Sequence, residues 1–249
     1  MNESSYRYER AIRSHPKIWQ PGYLIHRIIH REVSAFACFT EKENGGRVLD
    51  FGCGKTPFRD LFASYVGADL DDDGKEPDLM VDPETNRITG ADDRSFSNVI
   101  SIQVIEHVPK LEKYILEATR VLKPGGYLFI MAPFLYNFHG SDDYARYTRN
   151  FFTTGPMFKD FTIVSLHAES NDFIVFLAYQ INHFFELFPL LKFAYPLFLP
   201  INIAALMLST MTRALFEALG RVSPKFMDLY RSTFLLYPLQ IAVTFRKRL

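Results

Sequence analysis

The sequence predicts an α/β fold built on a Rossmann-like, mostly parallel sheet. Three observations carry this. From Val48 onward, short apolar runs of strand length alternate with helical segments, and that alternation implies parallel strands joined by right-handed crossovers. A glycine turn, Gly52-Cys53-Gly54, directly follows the first run. Two further runs end on an acid, Asp69 and Asp82, at the strand ends where open sheets of this kind meet their ligands.

Each element can be justified in order. Residues 1–46 read as a helical lead-in, because Leu24, Ile25, Ile28, Ile29, Val33, Phe36 and Phe39 recur close to helical spacing. Val48, Leu49 and Phe51 make a short buried strand. Thr56 is then the expected helix N-cap and Pro57 the first helical residue. A second strand runs from Tyr65 to Ala68 and a third from Asp78 to Val81. The link between them is short for a parallel crossover, which takes about a dozen residues. Either that crossover lacks its helix or the third strand lies elsewhere. Asn98 to Ile102 is a fourth strand. Leu111, Ile115, Ala118 and Leu122 mark an amphipathic helix, which Lys123-Pro124-Gly125-Gly126 ends. Tyr127 to Ala132 is a fifth, wholly apolar strand. A polar, aromatic loop follows at His139–Thr148, then strands at Phe161–Leu166 and Gln240–Phe245. The expected organisation is a lead-in at 1–46, a core at 47–171, an apolar helical insertion at 172–237, and a last core strand within 238–249.

Composition excludes several function classes. Lys+Arg and Asp+Glu balance at 28 each, so there is no basic excess of the kind that nucleic-acid binding needs and no such partner is expected. The two cysteines, Cys38 and Cys53, make no disulfide framework, and a reducing, cytoplasmic compartment is expected. The N-terminus lacks an apolar segment of signal-peptide type. No cluster has metal-ligand spacing, so no metal is expected.

The informative string is RVLDFGCGKTPF, Arg47 to Phe58. Gly54-Lys55-Thr56 is the tail of a P-loop, but Leu49 stands where that motif needs glycine. Gly52 and Gly54 fit a dinucleotide fingerprint, but Pro57 stands where its third glycine belongs. The third reading is a resemblance. VLDFGCG, YVGADL, SFSNVISIQVIEHV and EATRVLKPGGYLFIMAPF together resemble the ordered motifs of class I S-adenosylmethionine-dependent methyltransferases, most closely the type 11 group. The resemblance implies a seven-stranded sheet with its last strand antiparallel, and S-adenosylmethionine as cofactor. It implies that Asp50 orients the glycine loop and the cofactor amino group, and that Gly52 and Gly54 make room for the methionine moiety. It likewise implies that Asp69 binds ribose, Leu70 packs on adenine, Asp82 lies near the adenine amino group, and Gln103 lines the methionine end.

Methyl transfer from a sulfonium is an in-line displacement in which positioning does most of the work, and an oxygen acceptor also benefits from a base. The 139–148 loop is similar to one in methyltransferase-like proteins of bacterial polysaccharide gene clusters. His139 is the expected general base, with Asp143 and Arg146 positioning the acceptor; the bland reading is an Asp–Arg structural clamp. His107 reads as structural, at a helix entrance, and Cys53 as a packing residue.

Of 24 Phe, 15 fall at or after Phe151, so the last two-fifths of the chain differs from the middle. Phe193 to Thr212 contains no charged residue, near the length of a membrane span, but Pro196 and Pro200 interrupt it. A helix is expected from after Pro200 to Gly220. Its apolar surface suits a membrane or lipid-linked substrate, a homodimer through 173–219, or an ordinary cap. The expected function is O-methylation of a small-molecule, glycan or lipid-linked acceptor by a cytoplasmic enzyme, peripheral on the membrane. The other reading is a methyltransferase fold without catalysis, docked at a membrane, prompted by Ser97 where the family often has Asp.

Overall fold

In the computed structural model, residues 13–20, 22–70, 77–137, 142–167, 173–186, 195–234 and 238–249 are described. They divide into two compact units: Met1–Ser14, His30–His167 and Gln240–Leu249 form one, and His15–Ile29 with Ala168–Leu239 form the other. The expected lead-in is therefore not a unit of its own. The helix α1, Tyr23–Glu43, begins in the second unit and ends in the first.

The first unit holds one seven-stranded sheet in the order β3-β2-β1-β4-β5-β7-β6. The strands are β1 Val48–Phe51, β2 Tyr65–Asp69, β3 Leu79–Met80, β4 Phe96–Ile102, β5 Leu122–Pro133, β6 Phe161–His167 and β7 Gln240–Lys247. β1 pairs in parallel with β2 and β4, and β4 with β5. β7 runs antiparallel to both of its neighbours, β5 and β6. The mostly parallel sheet with a reversed last strand is as expected. The third strand is also where it was read: Ala68 pairs with Leu79 and Asp69 with Met80. It is only two residues long, which resolves the short-link conflict in favour of the strand's position.

Burial explains which strands are central. β1 is buried at all four residues and the last eight residues of β5 are buried, the pattern of strands covered on both faces. In the second half of α1, Phe36 stacks on Phe129 at 4.9 Å between centroids and Phe39 meets Tyr127 edge-on at the same distance. α2, Leu111–Val121, turns Tyr114, Ile115, Ala118 and Val121 inward. Tyr114 stacks on Phe51 at 3.9 Å, donates its hydroxyl proton to the Phe51 carbonyl at 2.7 Å, and lies 2.8 Å from Ser101 Oγ. One side chain thus ties α2 to β1 and β4.

Two local expectations fail. Thr56 is not an N-cap: its φ is +49°, a left-handed conformation that cannot start a helix, and the β1–β2 link holds only the 3-10 turn Arg59–Leu61. Lys123 to Gly126 does not close α2 as a free turn but belongs to β5. There a Cβ on Gly126 would lie 2.5 Å from the Ser97 carbonyl, so glycine permits the close backbone approach.

The second unit contains α4 Phe173–Glu186, α5 Tyr195–Val222 and α6 Pro224–Phe234; α3, Arg149–Thr154, is the short helix before β6. The helix expected after Pro200 begins earlier, at Tyr195, and passes through that proline. Pro196 lies in the first turn, where the missing N–H costs nothing, and Pro200 removes a single early bond. Cys38 and Cys53 are both free thiols.

Replacing Tyr114 by Phe strands the buried Phe51 carbonyl while keeping the ring. Urea unfolding is expected to show a loss of about 1–3 kcal/mol.

Candidate active site

The strand order reverses between β1 and β4, and the switch point of such a sheet is where ligands bind, beyond the carboxyl ends of the strands. Gly52 leaves β1 with φ +84°. A Cβ there would lie 2.5 Å from Val104, so the position requires glycine for conformation and for space. The Gly52 and Cys53 amides both donate to the Ala68 carbonyl, at 2.8 and 3.1 Å. Cys53 Sγ fills the space beside Gly67, where a Cβ would approach it to 2.8 Å. Burial, the neighbouring Asp50 and Asp69 push its thiol pKa up, which suits the packing role expected of it.

Asp69 organises this corner. Its Oδ2 accepts from the Gly54 amide at 2.6 Å and its Oδ1 from the Leu70 amide at 2.7 Å. Gly54 has φ +50°, and among the described residues a Cβ there would meet nothing within 4 Å. Leu70 is partly exposed beside it. An acid gripping the glycine loop, a glycine backbone and an adjacent apolar side chain fit an adenosine-bearing cofactor. Asp50 sits deeper, buried, and accepts the Tyr65 hydroxyl at 2.6 Å. Burial raises its pKa to about 7, against the Tyr65 hydrogen bond. Gln103, at the end of β4, holds φ +57°; its amide donates to the Met131 carbonyl at 2.8 Å and its side chain bonds Gln240. Non-glycine residues at positive φ cost energy and concentrate at functional sites. Thr56 and Gln103 are both of this kind.

Asp82 differs from its expectation. It is exposed, and its Oδ1 accepts from Glu84 N, Thr85 N and Thr85 Oγ1 at 2.8–2.9 Å. Those Thr85 bonds hold its pKa below the usual carboxylate range. The neighbouring Val81 amide donates to the Asp69 carbonyl, so the segment reaches the site while the acid folds back on its own turn. Ser97 lies near the amino end of β4, the end opposite the glycine loop, so its identity does not bear on cofactor binding there.

On the acceptor side, Asp143 and Arg146 form a bidentate pair: Nη2 bonds Oδ2 at 2.6 Å and Nη1 bonds Oδ1. Arg146 also donates to the Ala145 and Asn137 carbonyls. Both carboxylate oxygens are engaged by Arg146, a geometry that suits a clamp on the loop. Three bonds staple this loop to the 3-10 turn Ile105–His107. Tyr144 N donates to the Glu106 carbonyl at 2.8 Å, Tyr147 Oη to the Ile105 carbonyl at 3.1 Å, and His107 Nδ1 lies 3.0 Å from the Asp142 carbonyl. His107 is thus structural, as expected. His139 lies outside the described residues.

Sequence reasoning passed over Glu106. Its side chain is wholly buried, and among the described residues neither carboxylate oxygen has a hydrogen-bond partner. His107 Nε2 lies 3.8 Å from Oε1. Burial lifts the Glu106 pKa to about 8. The only sequence signal was an acid in an otherwise apolar run. No group of three or more potential metal ligands occurs among the described residues.

Glu106 makes a pH prediction. The folded pKa is above the unfolded one, so between them the native state keeps a proton that the unfolded state releases. Stability is then lost as pH rises from about 4.5 to about 8. The wild-type Tm is expected to fall over this range, and Glu106→Gln to fall less, ending several degrees above wild type at pH 9 by scanning calorimetry.

The comparisons agree with this geometry. The family model described as "Methyltransferase domain" matches residues 22–171. The Ubiquinone biosynthesis O-methyltransferases of Mesorhizobium japonicum and Chelativorans sp. are 30% and 31% identical, over 34% of this chain and 40% of theirs. The match therefore spans well under half the length of these relatives. A SAM dependent methyltransferase from Archaeoglobus fulgidus superposes with a TM-score of 0.50 at 14% identity, over 87% of this chain and 94% of that one. A structure from Galdieria sulphuraria, titled a sarcosine dimethylglycine methyltransferase, gives 0.53 at 14% identity, over 89% and 85%. These two show the fold, and the family model covers more than half of the chain. The chain belongs to the methyltransferase domain family.

Proposed function

We propose that the protein transfers the methyl group to an oxygen of a small-molecule or glycan acceptor, in its lipid-linked form. The observation that carries the site assignment is the Asp69 carboxylate, held between the Gly54 and Leu70 amides at the glycine loop. In this reading the Asp69 carboxylate faces the ribose hydroxyls. Gly52 and Gly54 bring backbone N–H groups close, Leu70 packs on the base, and Gln103 lines the methionine end. Asp50 acts from beneath, through the loop it underlies. Asp82 serves the site through its backbone turn.

S-adenosylmethionine supplies an electrophilic methyl with a neutral thioether as leaving group. The chain has to orient an acceptor hydroxyl for in-line attack and take up the proton that is released. His139 is the proposed base, from its place in the loop after β5. The Asp143–Arg146 clamp fixes that loop and does not itself touch the acceptor. Oxygen rather than nitrogen is supported by the O-methyltransferase names of the partial relatives. A lipid-linked glycan is supported by the loop's likeness to polysaccharide-cluster proteins and by the apolar second unit. The reading places the enzyme in the cytoplasm, at the membrane face.

Calorimetric titration of S-adenosylmethionine tests the site. Wild type is expected to bind in the micromolar range, and Asp69→Ala roughly a hundredfold more weakly, about 3 kcal/mol, with its circular dichroism spectrum kept. Undiminished binding by the variant would refute the site.

A further inference from the structure

The second unit buries an apolar core that includes Leu24, Ile25, Ile28 and Phe198, and it also carries large apolar side chains on its outside. In α5 the inward positions are Phe198, Asn202 and Ala205, and in α4 they are Val175, Ala178, Tyr179 and Asn182. Asn182 Nδ2 donates to Asn202 Oδ1 at 2.7 Å, and Asn202 Nδ2 donates to the Ile18 carbonyl at 2.8 Å. Two hydrogen-bonded amides thus lie inside, among buried apolar side chains. Outside, α5 exposes Ile203, Met207, Met211 and Leu215 at four-residue intervals, and α4 exposes Leu177 and Ile181. Along Phe198–Val222, only 17% of the most apolar stretch is buried. A helical unit that folds in water puts its large aliphatic side chains inside. Hydrogen-bonding amides between helices, with aliphatic side chains outside, are features of helices that assemble in lipid.

We infer that α4 and α5 seat in one leaflet of an anionic lipid bilayer, without crossing it. α5 has 28 residues and is long enough to span. However, the chain leaves the sheet at β6 and returns at β7, and these strands are hydrogen-bonded neighbours. The excursion between them must start and finish on the same side of any membrane. α4, at 14 residues, is too short to make the second crossing. Charge selects lipid over a second copy as the occupant. The uncharged run ends at Arg213, which pairs with Glu217 at 2.8 Å, and Arg221 and Lys225 follow as further basic residues. A basic border on an apolar face matches anionic headgroups, whereas two copies would oppose like charges. This inference deepens the lipid-linked acceptor reading and rests on it for its biological purpose, but not for its physical test.

The test is flotation of the full chain with vesicles of about three parts phosphatidylcholine to one part phosphatidylglycerol. Wild type is expected to float with these vesicles and several-fold less with pure phosphatidylcholine. Met207→Asp/Met211→Asp changes two side chains that are 60% and 65% exposed. It is expected to float at least tenfold less while binding S-adenosylmethionine as tightly as wild type. Wild type that stays with the soluble fraction would overturn the inference. A lipid-independent dimer in sedimentation, dissolved by the same double variant, would overturn it in favour of a second copy. Loss of cofactor binding alone, with flotation kept, would overturn the cofactor-site reading and leave this one standing.

Discussion

The site depends on one carboxylate. Asp69 ends β2, yet its oxygens accept from the amide of Gly54, which follows β1, and from the amide of Leu70, its own neighbour. The bond to Gly54 crosses from one strand end to the next and fixes where the glycine loop sits. A loop with two glycines at positive φ has large conformational freedom to lose. A charge-assisted bond to its backbone offsets part of that loss. Every other feature of the corner follows from this placement. Cys53 fills the gap beside Gly67, Val104 abuts Gly52, and among the described residues nothing lies within 4 Å of a Cβ placed on Gly54.

The opposite wall is built differently. No carboxylate grips it from below; a clamp within the loop, Asp143 with Arg146, and three bonds to the Ile105–His107 turn do the holding. Buried beneath lies Glu106, with no hydrogen-bond partner for either oxygen among the described residues. A buried acid of this sort is a standing cost to the fold that only a proton relieves. The two walls therefore differ in kind: one is fixed by a bond to the backbone, the other surrounds a group whose charge is unresolved by its own neighbours.

Much of this was legible in the residues. The strands show as apolar runs because a central parallel strand must be apolar on both faces, as β1 and β5 are. The glycine loop shows because its chemistry is local. What failed to show was set by tertiary context. Thr56-Pro57 has the composition of a helix start, but Thr56 takes a left-handed conformation after the glycine turn. Pro200 looks like a helix boundary, but only one bond depends on it. Glu106 looks like a surface acid until the fold encloses it. Asp143 and Arg146, three apart, carry equal signals for clamp and for catalysis, and the sequence does not show that they pair with each other. The apolar outer face of the second unit was visible only as an excess of phenylalanine and a charge-free run; which side chains faced out required the helices themselves.

The position of β7 bears on the order of events during synthesis. It sits between β5 and β6 and bonds to both, yet the ribosome makes it after the whole of Ala168–Leu239. Until it emerges, β5 presents an open edge and β6 has no strand to join. At about 5–20 residues per second, that interval lasts several seconds. An open edge of a hydrophobic strand invites pairing with other chains. The nascent sheet must therefore wait, incomplete, while the helices ahead of β7 find their place, and the last strand to be made is the one that closes it.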